Sequence, residues 1–261
     1  MSNGFIFHES DDIVCIATGN SSNRKTGDEV QTWILYKHEP PHVAIDTGKD
    51  SAICGDCTYR GKVLSLSDAT LHAETLPTAK RRALLKRIDS KKAKGLDSIN
   101  IDRKCYVGTM HAPLNIYKAW KRGNYPTLAP KQAQKRLAYK KIRLGSYGDP
   151  VHVPLEVWNT ILKLVIGTTG YTHQWRNITY NAYKKYLMAS VETLKERIQA
   201  NSLGYRTFRV VQGTDAKDSN EVGCLSDRKA RGNKKLVACV DCMMCSGWTS
   251  KVTSDITIIQ H

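Results

Sequence analysis

The sequence predicts an α/β fold built on a parallel sheet or a partial (β/α) barrel. It also predicts a cysteine-rich, metal-bound C-terminal segment. Three observations carry this. Short apolar runs that end in polar, Gly-containing segments recur along the chain. From about residue 141 onward these runs alternate with helical patterns, as in parallel sheets. The last forty residues hold four cysteines in the spacing C-x14-C-x2-C-x2-C: Cys224, Cys239, Cys242 and Cys245.

Taken in order, DDIVCIATGNSSNRKTGD reads as a strand and loop, and HVAIDTGKD reads the same way. PLNIYKAWKRG is a helix closed by Gly123, and KIRLGSYGDP a strand ending in a Gly/Asp turn. VPLEVWNTILKLVIG places Leu155, Trp158, Ile161, Leu162 and Val165 at helical spacing after a proline. SVETLKERIQANSLG reads as a helix from a Ser190 cap to Gly204. GYTHQW, KYLMASV, YRTFRVVQGTD and DITIIQH supply further strands. The whole, 1–261, reads as one α/β domain. A basic insertion, mobile or helical, interrupts it at about 60–104, with a helix over His72–Arg87.

Ligands of open α/β sheets bind beyond the carboxyl ends of the strands. The polar residues expected at one such mouth are Asn20, Ser21, Ser22, Asn23 and Lys25, with Ser146 and Asp149. Thr172, His173, Gln174, Ser190 and Glu192 complete it. Asp149 suits a nucleophile, a general base or a cofactor anchor, and equally an ordinary turn aspartate before proline. His173 suits acid–base work or base-edge hydrogen bonding, and equally the polar close of a strand. Tyr183 and Tyr186 read as packing residues. The Asn20 loop lacks G-x4-GK[ST] spacing, which argues against an NTPase.

Four thiolates at this spacing select zinc or an iron–sulfur cluster. A second set upstream comprises Cys54 and Cys57 in CGDC, with Cys105. Three thiolates can leave one position open for chemistry. Cys15, in the apolar run IVCIA, reads as a buried small hydrophobe. The formal net charge is +16. Cations concentrate in Lys80–Lys94 and in Lys118–Arg143, which points to a nucleic-acid partner. No membrane span, secretory leader or sequence-reading DNA module is legible, so a cytoplasmic protein is expected.

Several segments occur in an order that carries a resemblance. They are TGNSSNRKTGDEVQTWIL, CGDCTYRG, CYV, AWKRGNYP, RLGSYGDP, TGYTHQW, LMASV, YRTFRV and the terminal cysteine array. This order resembles a family of uncharacterised phage proteins that is distantly similar to radical-SAM enzymes. The resemblance implies a partial barrel and a [4Fe–4S] cluster on Cys54, Cys57 and Cys105. S-adenosylmethionine would sit on the open iron, in the host cytoplasm. It implies that Gly145, Ser146, Gly148 and Asp149 form the turn that holds the methionine amino group, and the strand-end reading adds Asn20 and Ser190 as residues facing the cofactor. Asp149 and His173 would be the catalytic side chains. The usual C-x3-C-x2-C run is absent from this chain. The expected function is an iron–sulfur enzyme acting on nucleic acid or a nucleotide. Two alternatives stay open: a zinc- or cluster-stabilised DNA/RNA-binding protein without catalysis, and a zinc-containing base transglycosylase with Asp149 as covalent nucleophile.

Overall fold

The protein is described by a computed structural model covering residues 4–19, 24–212, 217–227, 232, 234–247 and 253–259. Eleven strands and nine α-helices are present among these residues. Strands β1 (Gly4–Glu9), β2 (Ile13–Thr18) and β3 (Val30–Tyr36) form an antiparallel meander. β3 then pairs in parallel with β6 (Lys141–Tyr147). The sheet continues in parallel through β7 (Gly167–Thr172), β8 (Met188–Val191), β9 (Thr207–Val211), β11 (Asp255–Ile259) and β10 (Glu221–Gly223). The nine-stranded order is β1-β2-β3-β6-β7-β8-β9-β11-β10. The expected α/β architecture with a largely parallel sheet is therefore present.

The alternation of K-I-R-L in β6 explains the two faces of the sheet. Ile142 and Leu144 are buried on one face. There they join Ile34 and the helices α6 (Pro130–Leu137) and α7 (Leu155–Ile161) in the main core. Trp158 of α7 is 1% exposed, donates to the Pro150 carbonyl at 2.9 Å and meets the Phe7 ring at 5.3 Å. Arg143 projects to the other face with Gln31, Trp33, Tyr171, Phe208 and Ile258, all of which line a cavity.

Two segments differ from the sequence expectation. HVAIDTG forms helix α1 (Pro41–Thr47), not a strand. Pro41 sits at the first helical positions, where its missing N–H costs nothing, and Gly48 closes the helix at φ 77. The helix after β8 is α8 (Leu194–Ser202), capped by Thr193 in a reciprocal capping box with Glu196. Ser190 is instead a residue of β8. Helices α2 (Ser51–Cys54), α5 (Ala112–Lys121) and α9 (Cys239–Cys242) complete the set outside the insertion.

The basic insertion is an ordered module. β4 (Lys62–Ser65) and β5 (Ser98–Ile101) pair antiparallel and flank α3 (Leu66–Glu74) and α4 (Thr78–Lys92). Ala69, Ala73, Leu84, Ile88, Ile99 and Ile101 give it a core of its own. Asp46 of α1 anchors it, accepting from Lys91 Nζ and from the Asn100 amide at 3.2 Å.

At the far edge of the sheet, buried ion pairs tie β9 to β10 and helix α8 to β11. Arg209 pairs with Glu221 at 2.6 Å, and Arg197 with Asp255 at 2.8 Å. Among the described residues no helix is long and apolar enough to cross a membrane.

Candidate functional site

The end of β6 is shaped by a bulge. Gln31 pairs with Arg143 and Trp33 with Tyr147, so Leu144, Gly145 and Ser146 face Thr32 alone. The Thr32 hydroxyl donates to the Arg143 carbonyl at 3.1 Å and accepts from the Gly145 amide at 2.9 Å. Gly145 adopts φ 66, and a Cβ there would lie 2.6 Å from the Gly148 carbonyl. Gly148 adopts φ 80 with Ile34 pressed against it. Both glycines of GSYGDP are thus demanded by backbone geometry.

The bulge delivers Asp149 to the carboxyl end of the sheet, 7% exposed. Its carboxylate accepts from the His173 amide at 2.9 Å, the Thr172 hydroxyl at 3.0 Å and the Val151 amide at 3.3 Å. Its own amide donates to the Ile53 carbonyl at 2.7 Å. Burial, set against these donors, lifts the carboxyl to about 6. The adjoining His173 imidazole is held down at about 4, by burial first and then by Arg176. The Tyr59 ring stands edge-on to it at 5.2 Å. Gln174 turns the other way and donates to the Cys54 carbonyl at 3.0 Å. Ser190 contributes its carbonyl to Trp175 Nε1 at 3.0 Å.

Cys54, Cys57 and Cys105 meet at this same end, within electrostatic reach of one another and of Asp149. Burial, with Asp50 and the neighbouring thiols, raises Cys54 well above the ordinary thiol range. Burial raises Cys57 to about 11. The stretch from Cys54 to Arg60 and that from Arg103 to Cys105 are tied by Tyr59, whose carbonyl accepts from the Lys104 and Cys105 amides at 3.1 and 3.0 Å.

The C-terminal cysteines occupy the opposite end. Cys239 and Val240 donate to the carbonyls of Lys25 and Thr26 at 2.8 and 3.1 Å. Lys141 Nζ donates to the Val240 carbonyl at 2.6 Å, and Met243 covers Gly167. Cys245 accepts from the Gly170 amide at 3.1 Å, filling the half of β7 that β8 leaves unpaired. Arg206, 2% exposed, pins the segment by donating to the carbonyls of Met244, Ser246 and Ser254. Cys245 is raised to about 12, by burial first and then by the Cys224, Cys239 and Cys242 thiols around it. The two cysteine groups therefore belong to separate ends of β6 and β7.

As donors, four thiols suit zinc or an iron–sulfur cluster, and three suit a cluster with an open iron. Among the described residues, however, no group of three or more His, Cys, Asp or Glu side chains is arranged to hold a metal ion. The sulfurs are gathered without converging, so no chemical step is assigned to a metal here.

One expectation about the mouth is corrected. The loop after β2 was expected beside Asp149, but β2 runs antiparallel to β3. Lys25 and Thr26 consequently sit by Cys239 and Val240, away from His173. Asn20, Ser21, Ser22 and Asn23 lie outside the described residues.

Between the two ends, one face of the sheet from β3 across to β11 lines a cavity of about 1040 Å³. Cys224, Cys239 and Cys245 border it, as do Tyr59, Lys104 and Ser146. Ser146 donates to Gln31 Oε1 at 2.5 Å. Lys25, Lys104, Arg143 and His111 supply positive or protonatable groups. Trp33, Tyr59, Tyr106, Tyr125, Tyr171 and Phe208 supply rings. Among the described residues no carboxylate lines it. Arg143 rests over the Tyr171 ring at 5.6 Å and, among the described residues, makes no ion pair within 4.0 Å. Glu29, fully buried, bonds Thr169 at 3.0 Å and leaves Oε2 without a partner.

Neither Asp149 nor His173 lines this cavity, and among the described residues expected to face a cofactor Ser146 alone does. Sequence reasoning counted Arg143 only within a basic stretch and missed Gln31, Trp33 and Tyr59. The signal for Arg143 was present: it is the polar member of an alternating apolar strand, facing away from Ile142 and Leu144. No family model matches this chain, and neither a curated protein nor a solved structure matches it.

Proposed function

We propose that the protein acts on nucleic acid or a nucleotide and takes one nucleotide unit into the cavity between the two cysteine groups. The carrying observation is the lining: several aromatic rings, three fixed cations, one imidazole and no carboxylate among the described residues, around about 1040 Å³. Rings stack on a base, and cations answer a phosphate. A carboxylate-free wall leaves that phosphate unopposed. The volume is at the upper end of small-ligand sites. A single face contributing from β3 to β11 supports the partial-barrel form of the fold. The net charge of +16 supports a polyanionic partner.

In this reading Arg143 and Lys104 meet the phosphate, while Trp33 and Tyr171 hold the base. Asp149, already engaged by three donors, positions the strand ends. Cys224, Cys239, Cys242 and Cys245 would hold zinc or an iron–sulfur cluster as a staple for the tail. Titration of a nucleoside 5′-monophosphate, followed by calorimetry, tests the reading. Arg143→Met is expected to weaken binding at least tenfold, since a hydrogen bond to a charged group contributes about 1.5–3 kcal/mol. Absence of binding, or binding unchanged in the variant, would overturn it.

One observation favours a catalytic form of the proposal. Cys54, Cys57 and Cys105 gather beside Asp149 at the carboxyl end of the sheet, where α/β enzymes place their chemistry. Drawn together, three thiolates there would be the ligands of an iron–sulfur cluster with an open iron, the group that a radical-SAM-like phage enzyme of the host cytoplasm would use with S-adenosylmethionine. Iron and sulfide in protein purified without oxygen, lost on replacing Cys54 and Cys57 by serine, would support that form. Zinc alone would exclude it.

A further inference from the structure

The β4–α3–α4–β5 module stands apart from the cavity yet grows from its rim. Tyr59 precedes β4 and Lys104 follows β5, and both line the cavity wall. Helix α4 carries seven cations against one carboxylate in fifteen residues. Leu84 and Ile88 turn inward to the module's own core. Arg82 and Lys86, one turn apart, lie on the opposite face. Lys80, Arg81, Arg82, Lys86 and Lys92 are all exposed, and none makes an ion pair among the described residues. Lys91 is different: it is spent on Asp46, which fixes the module against α1. Tyr106, one residue past Cys105, is 78% exposed and also borders the cavity.

A helix of this composition has little reason to repel its own charge so strongly unless a polyanion relieves it. The chain enters the module from Tyr59 and leaves it through Lys104 and Tyr106, all three on the wall of the aromatic, cationic cavity.

We propose that the β4–α3–α4–β5 module is a docking arm for the phosphate backbone of a nucleic-acid strand, presenting one nucleotide of that strand to the cavity. The ligand is then a polymer, with a free nucleotide as its fragment. The second half of this statement rests on the cavity reading above; the arm itself does not.

The test uses the full chain and a fluorescently labelled single-stranded DNA of about 20 nucleotides, long enough for a typical single-strand site. Anisotropy is measured across a salt series. The variant replaces Lys80, Arg81, Arg82 and Lys86 with glutamine; all four are exposed, so folding is expected to survive, as circular dichroism would show. Loss of four phosphate contacts should reduce the slope of log K against log salt by about three, and affinity at low salt by at least tenfold. Binding of a nucleoside monophosphate should not change. An unchanged slope in the variant would overturn the arm. So would equal competition by polyglutamate, which would assign the face to acidic protein. Failure of the cavity reading looks different: the wild type shows no monophosphate binding, or Arg143→Met binds it as tightly as wild type, while the slope effect of the arm variant persists.

Discussion

Asp149 and His173 titrate in opposite senses across one pH window, and separating them tests the electrostatics of the strand ends. Burial against several donors moves the Asp149 carboxyl from 3.8 to about 6. Burial, reinforced by Arg176, moves the His173 imidazole from 6.5 to about 4. A carboxyl raised on folding favours the native state most at low pH, and that contribution is lost as pH climbs from 3.8 through about 6. An imidazole lowered on folding contributes fully above 6.5, and that contribution is lost as pH falls from 6.5 through about 4. Each displacement of about two pH units corresponds to about 3 kcal/mol, and about 2 once partial solvent screening of His173 is allowed for. The two effects therefore nearly cancel between pH 4 and 6.5. His173→Gln keeps the amide that donates to Asp149 and removes one of the opposing titrations. Its urea stability relative to wild type should fall by about 2–3 kcal/mol as pH rises from 4 to 6.5. Asp149→Asn should do the reverse and gain about 2–3 kcal/mol on wild type over the same range. A constant cost should be added, because an amide NH2 meets N–H donors. Two variants that both run parallel to wild type from pH 4 to 7 would refute the reasoning.

Two further predictions concern the scaffold. Gly145→Ala forces a side chain onto φ 66 and into the Gly148 carbonyl, and should cost about 2 kcal/mol or more in thermal or urea unfolding. Arg206→Met strips the carbonyls of Met244, Ser246 and Ser254 of their charged donor and should cost about 3 kcal/mol. Limited proteolysis of that variant should cut first in the segment holding Cys239, Cys242 and Cys245, and wild-type resistance there would count against the pinning role.

The parallel sheet was legible because short apolar runs stand out from the polar, Gly-containing segments and, from about residue 141 onward, alternate with helical patterns. Cys15 was legible as core, at 0% exposed, for the same reason. HVAIDTG misled because Val43 and Ile45 alternate over a stretch too short to distinguish the two periods, while Pro40 and Pro41 set a helix start. The β4–β5 pair was hidden because two four-residue strands lie far apart in sequence, with two helices between them. The single mouth failed on topology. Nothing local reveals that β2 runs antiparallel to its neighbour, and that one reversal sends Lys25 to the opposite end of the sheet. GSYGDP was noticed for the right residues, yet its glycines answer to a bulge against Thr32, which only the pairing register exposes. The cavity was the least legible of all. Its lining is drawn from most of the chain length, and no spacing rule gathers Trp33, Tyr59, Arg143 and Phe208.

The most direct measurement is a crystal structure grown with a nucleoside 5′-monophosphate. The account predicts the phosphate within hydrogen-bond distance of Arg143 and the base against Trp33 or Tyr171. A nucleotide bound elsewhere, or a cavity that stays free of it at saturating concentration, would contradict it.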